Sequence, residues 1–428
     1  MVHNTKRTLA AVLASVAALG MLASCGSGTG ISDDSKTLTI FNSKMEIQSQ
    51  FEEMAKKYGE EKGVNVEVSY SSDTVAAHLA TRYASNAPYV LSMVDAKDIY
   101  SLGPDHALDL SNEKWVGDTD QAISVDGKVM GFPVSVEARG LIYNADAIEK
   151  VTGKKFDPSQ YKTLDEFKKL IADLKADGMQ SPVGVLKEDW SLAGHYLPQI
   201  YEEQPNVNEF VKGLHDGTVK ISSNDKFNSL MDTFDVLKAN NYAKDAPTSA
   251  EREVTSQKLA QGDIAFLFGG NWDWSVINQY EPNKNLGMMP VPQNTDDGTN
   301  EKLVGGGSKF FFIDSSDKVT DEQRQMAKDF LNWLVSDKEG QDFIVNTCSM
   351  VSPFKSNTLA PADPLGKSVK SYADKGALIP NFNYLPDDHY SKLGAEYQKY
   401  LANQIDRPAL ADAIDSYWQS TKISADIK

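Results

Sequence analysis

The chain has 428 residues, 41 % of them hydrophobic, and a formal net charge of −17. That length exceeds what one small core holds and predicts two lobes or domains. The acidic balance argues against nucleic acid and anionic lipid headgroups as partners.

Residues 1–24 read as a lipoprotein signal peptide. Lys6 and Arg7 form a basic start, an apolar stretch runs from Leu9 to Leu22, and Leu22-Ala23-Ser24-Cys25 puts small residues before a thiol. Such a thiol is the local nucleophile that can carry a lipid such as palmitate. The stretch is short for a membrane span, and a plain secretory signal with an incidental Cys25 is the alternative. The mature chain is expected to begin at Cys25 and to sit, lipid-anchored, on the extracytoplasmic face of the cell membrane. Each acyl CH₂ buried there contributes about 0.8 kcal/mol. Only Cys25 and Cys348 occur. A lipidated Cys25 leaves no disulfide, and Cys348 reads as a small buried residue.

Residues 25–35 are rich in Gly, Ser, Thr and Asp and predict a flexible tether. Alternation then begins. Leu38–Phe41 predicts a strand, 45–62 an amphipathic helix closed by Gly63, Val64–Tyr70 a strand, 73–84 a helix and Tyr89–Val94 a strand. This order predicts a parallel sheet with helices on both faces. The pattern restarts at Leu141-Ile142-Tyr143. Thr163 and Glu166 form a capping box for a helix to about Ala176, ending near Gly178. Helical spacing returns at 225–240, 250–261, 321–335 and 337–345. Strands are expected at Ile264–Phe268, Leu286–Pro290 and Lys309–Ile313. The last third mixes helices with loops around Pro353, Pro361, Pro364, Pro380 and Pro386. Two α/β sheets flanking one cleft is the simplest architecture, and such a cleft favours a small-molecule site.

Catalytic signatures are missing from the sequence: no Gly-x-Ser-x-Gly, no P-loop, no Gly-x-Gly-x-x-Gly after a strand, no His-Glu-x-x-His. The six histidines are scattered, and two cysteines do not build a zinc site with them. Asp and Glu are abundant, so a carboxyl pair for glycoside hydrolysis stays open as the enzymatic rival. The segment Phe268-Gly269-Gly270-Asn271-Trp272-Asp273-Trp274-Ser275 sets two tryptophans after a strand and a glycine pair. An indole there either stands in a cleft, its face suited to the C–H face of a pyranose, or packs in the core.

The stretch from Gly131 to Asn144 and the segment from Gly270 to Ser275 resemble the crossover and sugar-stacking segments of the maltose-binding-protein type. Glu188-Asp189-Trp190 is similar to a second aromatic segment of that family, the carbohydrate-binding extracellular solute-binding proteins of ABC importers. The resemblance runs in order from about residue 36 to 420. It implies a periplasmic-binding-protein-like fold: two α/β lobes with parallel-dominated sheets, a multi-strand hinge and a ligand cleft between the lobes. Residues 36–136 with 305–337 would form the N-terminal lobe, and 137–304 with 338–428 the C-terminal lobe. Crossings would fall near 135–140, 298–306 and 336–341.

By the same resemblance Trp190 and Trp272 match aromatic sugar platforms, and Glu137 a hydroxyl-binding carboxylate. Asn42, Lys44 and Glu46 follow the first strand, and Asp95 and Lys97 the third, at the carboxyl end of a sheet where ligands bind. Asp388 and His389 match polar contacts loosely, and His195 lies about one helical turn after Trp190. Each polar residue has a bland alternative as a surface charge, hinge brace or loop group. Two departures put maltose in doubt: Met93 stands where the maltose binder has a tryptophan, and no cleft tryptophan is matched near 389. The resemblance implies a monomeric receptor without catalytic residue, metal or cofactor. It would close on an oligosaccharide and deliver it to the membrane permease subunits of an ABC importer. A receptor for another solute and a lipid-anchored glycosidase are the competing readings.

Overall fold

The computed structural model describes residues 36–424 and Ile427. The signal peptide, Cys25 with its expected lipid, and the tether at 25–35 lie outside the described residues. The expected opening is present. Strands β1 (Thr37–Asn42), β2 (Asn65–Tyr70) and β3 (Leu91–Asp95) alternate with helices Gln48–Lys62 and Val75–Ala84. β1 is buried along its whole length, its polar Thr37, Thr39 and Asn42 included, as befits a strand covered on both faces. It pairs in parallel with both β2 and β3. Gly63 ends the first helix at φ 69°, a left-handed turn that favours glycine.

The remaining strands are β4 (Ile123–Val125), β5 (Lys128–Asn144), β6 (Val183–Gly184), β7 (Phe266–Gly270), β8 (Leu286–Met289), β9 (Leu303–Ile313) and β10 (Leu378–Ile379). They correct the expectation of two separate, parallel-dominated sheets. The strands form one mixed sheet in the order β2-β1-β3-β9-β5-β7-β6, with β4 and β8 on β5 and β10 on β9. The cause is strand length. β5 has 17 residues and β9 has 11, and they pair antiparallel from Phe132 opposite Phe311 to Arg139 opposite Val304. Each is long enough to serve both halves of the molecule. Register shifts at Ser135 mark a bulge, which bends a strand locally. Gly305 lies so close to the facing strand that a Cβ would sit 2.4 Å from the Glu137 carbonyl oxygen.

Two large cores lie on either side of this passage. One gathers Leu38, Ile40, Phe51, Met93, Phe132, Phe311 and Phe330, and keeps residues 343–354 through Phe343, Cys348 and Phe354. The other gathers Leu141, Phe167, Tyr196, Phe234, Phe266, Tyr397 and Trp418. A third cluster, including Val136, Ala138, Leu303 and Val351, flanks the passage itself. Burying one such aromatic or aliphatic side chain contributes roughly 1.5–3 kcal/mol. The capping box is made as expected. Thr163 Oγ1 accepts from Glu166 N–H at 3.3 Å, and Glu166 Oε2 accepts from Thr163 N–H at 2.9 Å. Cys348 is buried, and burial pushes its thiol far above the ordinary range. Among the described residues no helix is long and apolar enough to cross a membrane.

Candidate functional site

A cleft of about 560 Å³ is lined from both sides of the β5–β9 passage. The first wall begins where β1 ends. The Asn42 side chain donates to Lys44 O at 2.8 Å and accepts from Lys44 N–H at 2.9 Å, folding the chain so that Lys44 turns inward. Lys44 Nζ lies 2.7 Å from Glu137 Oε1 and 2.9 Å from Glu46 Oε1. Burial works against the Lys44 charge, but Glu137 and Glu46 outweigh it and hold the amine well above the usual lysine range. Burial likewise raises Glu46, and Lys44 more than reverses it.

At the end of β3, Asp95 pairs with Lys309 of β9. Burial pushes Asp95 up, and Lys309 brings it below the ordinary aspartate value. The neighbouring Asp98 is pushed up to about 6 by burial and then by Asp95. Lys97 reaches Asp98 at 3.1 Å and Asp387 at 2.6 Å.

The second wall is aromatic. Trp190–Tyr196 wind as a π-helix, in which bonds run from i to i+5, as from Leu197 N–H to Leu192 O. This wider turn brings residue i+5 back beside residue i. The rings of Trp190 and His195 lie 5.5 Å apart, edge to face. His195 in turn lies 4.6 Å from the Trp272 ring. Burial, then Arg139 and Arg252, keep His195 neutral, well below its usual range.

Trp272 lies flat against its own turn, because a Cβ on Gly270 would sit 2.3 Å from indole atoms Cη2 and Cζ3. Only glycine lets the ring rest there. Gly194 does the same for Tyr390, whose ring would be 3.0 Å from an added Cβ.

Arg139 ties the floor together. Its Nε donates to His195 O and its Nη1 to Asn381 Oδ1, each at 2.8 Å, while Nη2 pairs with Glu202. Glu202 also accepts from Phe382 N–H at 2.9 Å.

Of the sequence-predicted residues, the structure brings Lys44, Glu46, Asp95, Lys97, Glu137, Trp190, His195 and Trp272 into one cleft. It does not bring Asn42, Asp388 or His389 there. Asn42 is fully buried as the turn that aims Lys44. Asp388 accepts from Tyr417 Oη at 2.7 Å and pairs with Lys392 at 2.7 Å. His389 is fully buried among Tyr201, Tyr417 and Trp418. The chain enters helix His389–Leu401 here, so successive side chains diverge around it, and the next residue, Tyr390, lines the cleft instead. Sequence reasoning missed Arg139, Glu202, Arg252, Lys309, Asn381 and Tyr390. Arg139 stands inside the Gly131–Asn144 stretch, two residues after Glu137, on the same face of a strand.

The five basic side chains of the lining are Lys44, Lys97, Arg139, Arg252 and Lys309. Each has a carboxylate partner. Such a surface offers many charge-assisted hydrogen bonds and flat rings without demanding a charged ligand. Among the described residues no group of three His, Cys, Asp or Glu is placed to hold a metal ion.

The family model for the bacterial extracellular solute-binding proteins matches residues 42–341. The chain belongs to this family. This solute-binding protein is 23 % identical over 389 residues to the melibiose/raffinose/stachyose-binding protein MelE of Bacillus subtilis, covering 86 % of each chain. It is 25 % identical over 360 residues to the maltodextrin-binding protein MdxE of the same organism, covering 80 % of this chain and 79 % of that one. Its fold matches that of the solute-binding protein RafE in complex with raffinose, with a TM-score of 0.73 at 19 % identity, over 90 % of this chain and 98 % of that one.

Proposed function

We propose that this solute-binding protein is the capture receptor of an ABC importer for an oligosaccharide, held to the cell membrane by a lipid on Cys25. The observation that carries the reading is the run of rings Trp190, His195 and Trp272 along a cleft whose charges are already paired. A pyranose offers C–H faces for the rings and hydroxyls for the paired charges. Relatives named for raffinose, stachyose and maltodextrin point to the same ligand class. The lobes would follow the two cores. The first two crossings would run along β5 and β9, which pair from Phe132 opposite Phe311 to Arg139 opposite Val304. The third crossing is set after Phe354 rather than at 336–341, because Phe343, Cys348 and Phe354 pack in the first core and Leu365 and Val369 do not. Ligand contacts to both walls would favour a closed form and drive closure. The loaded form would dock on permease subunits, as a monomer, and the family role requires no catalytic step.

A thermal-shift screen against raffinose, stachyose, melibiose and maltodextrins tests the ligand class, since a binder stabilises by RT ln(1 + [L]/Kd). A shift that persists at high salt supports a neutral sugar; no shift with any sugar refutes the reading. Bound sugar recovered intact separates a receptor from a glycosidase. Membrane fractionation of Cys25→Ser tests the anchor: release supports it, and unchanged membrane association refutes it.

A further inference from the structure

We propose that Arg252 is the positioning residue that holds the two cleft indoles, Trp190 and Trp272, in one fixed arrangement. The inference rests on the sugar-site reading above and adds to it a residue that meets Trp190 directly and reaches Trp272 through Asp273. Arg252 opens the helix Arg252–Gln261 and lines the cleft. Its guanidinium carbon lies 5.3 Å from the centre of the Trp190 ring. The same guanidinium donates through Nε at 3.2 Å and Nη2 at 2.6 Å to Asp273 Oδ1. Asp273 is fully buried and directly follows Trp272. Its second oxygen accepts from Gly270 N–H at 3.1 Å, closing the turn on which the Trp272 ring rests.

One flat cation therefore meets the first indole through its face and the second through the backbone turn. The two tryptophans are 82 residues apart in sequence (190 to 272), so neither fixes the other locally. His195 stands between their rings but is anchored to Arg139 through its carbonyl. Arg252 alone among these joins an indole face to the opposite turn. The chemistry suits arginine, whose planar fork stacks on a ring while it donates in the plane; a lysine is a point charge. Burial pushes the Asp273 carboxyl up and Arg252 opposes it, so losing the cation would leave a buried acid without its partner.

The test compares Arg252→Gln and Arg252→Lys with the wild type, alone and combined with Trp190→Ala plus Trp272→Ala. Two readings are taken. One is the near-ultraviolet circular dichroism of the ligand-free protein. The other is calorimetric affinity for the tightest binder among raffinose, stachyose and maltotriose. The expected result is a changed aromatic spectrum and affinity weakened about 3- to 30-fold in Arg252→Gln. Arg252→Lys should keep the thermal midpoint yet still bind more weakly. Without the two indoles, Arg252→Gln should cost less than about twofold, because it acts through them. The proposal is overturned if Arg252→Gln keeps the wild-type spectrum and affinity. It is equally overturned if the affinity loss persists undiminished without the indoles, which would make Arg252 a direct ligand donor. Should Arg252→Gln not fold, a wild-type spectrum and affinity in Arg252→Lys overturn it. If the wild type binds none of the three sugars, the sugar reading fails, and the ligand-free spectra still decide the positioning role.

Discussion

Gly270→Ala is the smallest change that reaches the cleft. The residue sits at φ −137°, ψ 177°, extended backbone that alanine adopts without strain. The whole effect is therefore the added methyl. That methyl would lie 2.3 Å from Cη2 and Cζ3 of Trp272, and ordinary contact begins near 3.4 Å, so the indole must retreat by about 1.1 Å. Overpacking of this kind costs about 1–3 kcal/mol of stability. The displaced ring should lose most of its stacking with a sugar, about 1–2 kcal/mol, or about 5- to 30-fold in affinity. Calorimetric titration measures the affinity, and near-ultraviolet circular dichroism reports the moved indole. A folded Gly270→Ala protein with wild-type affinity would show that Trp272 is not a platform.

Glu202→Ala strands the Arg139 guanidinium where both partners are buried, and should cost about 3–5 kcal/mol in urea unfolding; a loss below about 1 kcal/mol would mean the pair is solvated. Asp387→Asn breaks the Lys97 bridge at a carboxylate that is 73 % exposed, so affinity and stability should each change by less than about 1 kcal/mol. A large loss by calorimetry would show that this pair does more than screen. His389 is driven down to about 3, by burial first, with Ala193 and Asp388 opposing. Its folded value lies below the unfolded one, so the neutral ring is favoured and stability falls as pH drops from about 6.5 toward 3. The slope is up to about 1.4 kcal/mol per pH unit. His389→Gln should flatten that slope between pH 6.5 and about 4 in denaturant midpoints, and an unchanged slope would count against the buried neutral ring.

The sequence carried the alternating first third and the capping box, because each rests on local spacing. It did not carry the single mixed sheet, since pairing of β5 with β9 joins residues more than 150 apart, and apolar runs do not state their partners. The C-terminal helices were partly hidden by proline. Pro364 is the first residue of its helix and Pro408 the second, behind Asp363 and Asp406 caps, where a missing N–H costs nothing. In the cleft, Trp272 and Trp190 were legible as indoles beside turns. Arg252, Glu202 and Asn381 were not, because nothing local marks a residue whose partner is distant. Asp388 and His389 show the opposite failure: a polar pair near the right place, turned away by the start of a helix, with Tyr390 facing inward.

A crystal structure of the protein with the tightest sugar from the screen tests the central claim most directly. A pyranose ring lying parallel to the Trp272 indole, about 4 Å above it, with hydroxyls on Glu137 and Arg139, is the predicted outcome. A sugar bound elsewhere, or a cleft left empty at saturating ligand, would contradict it.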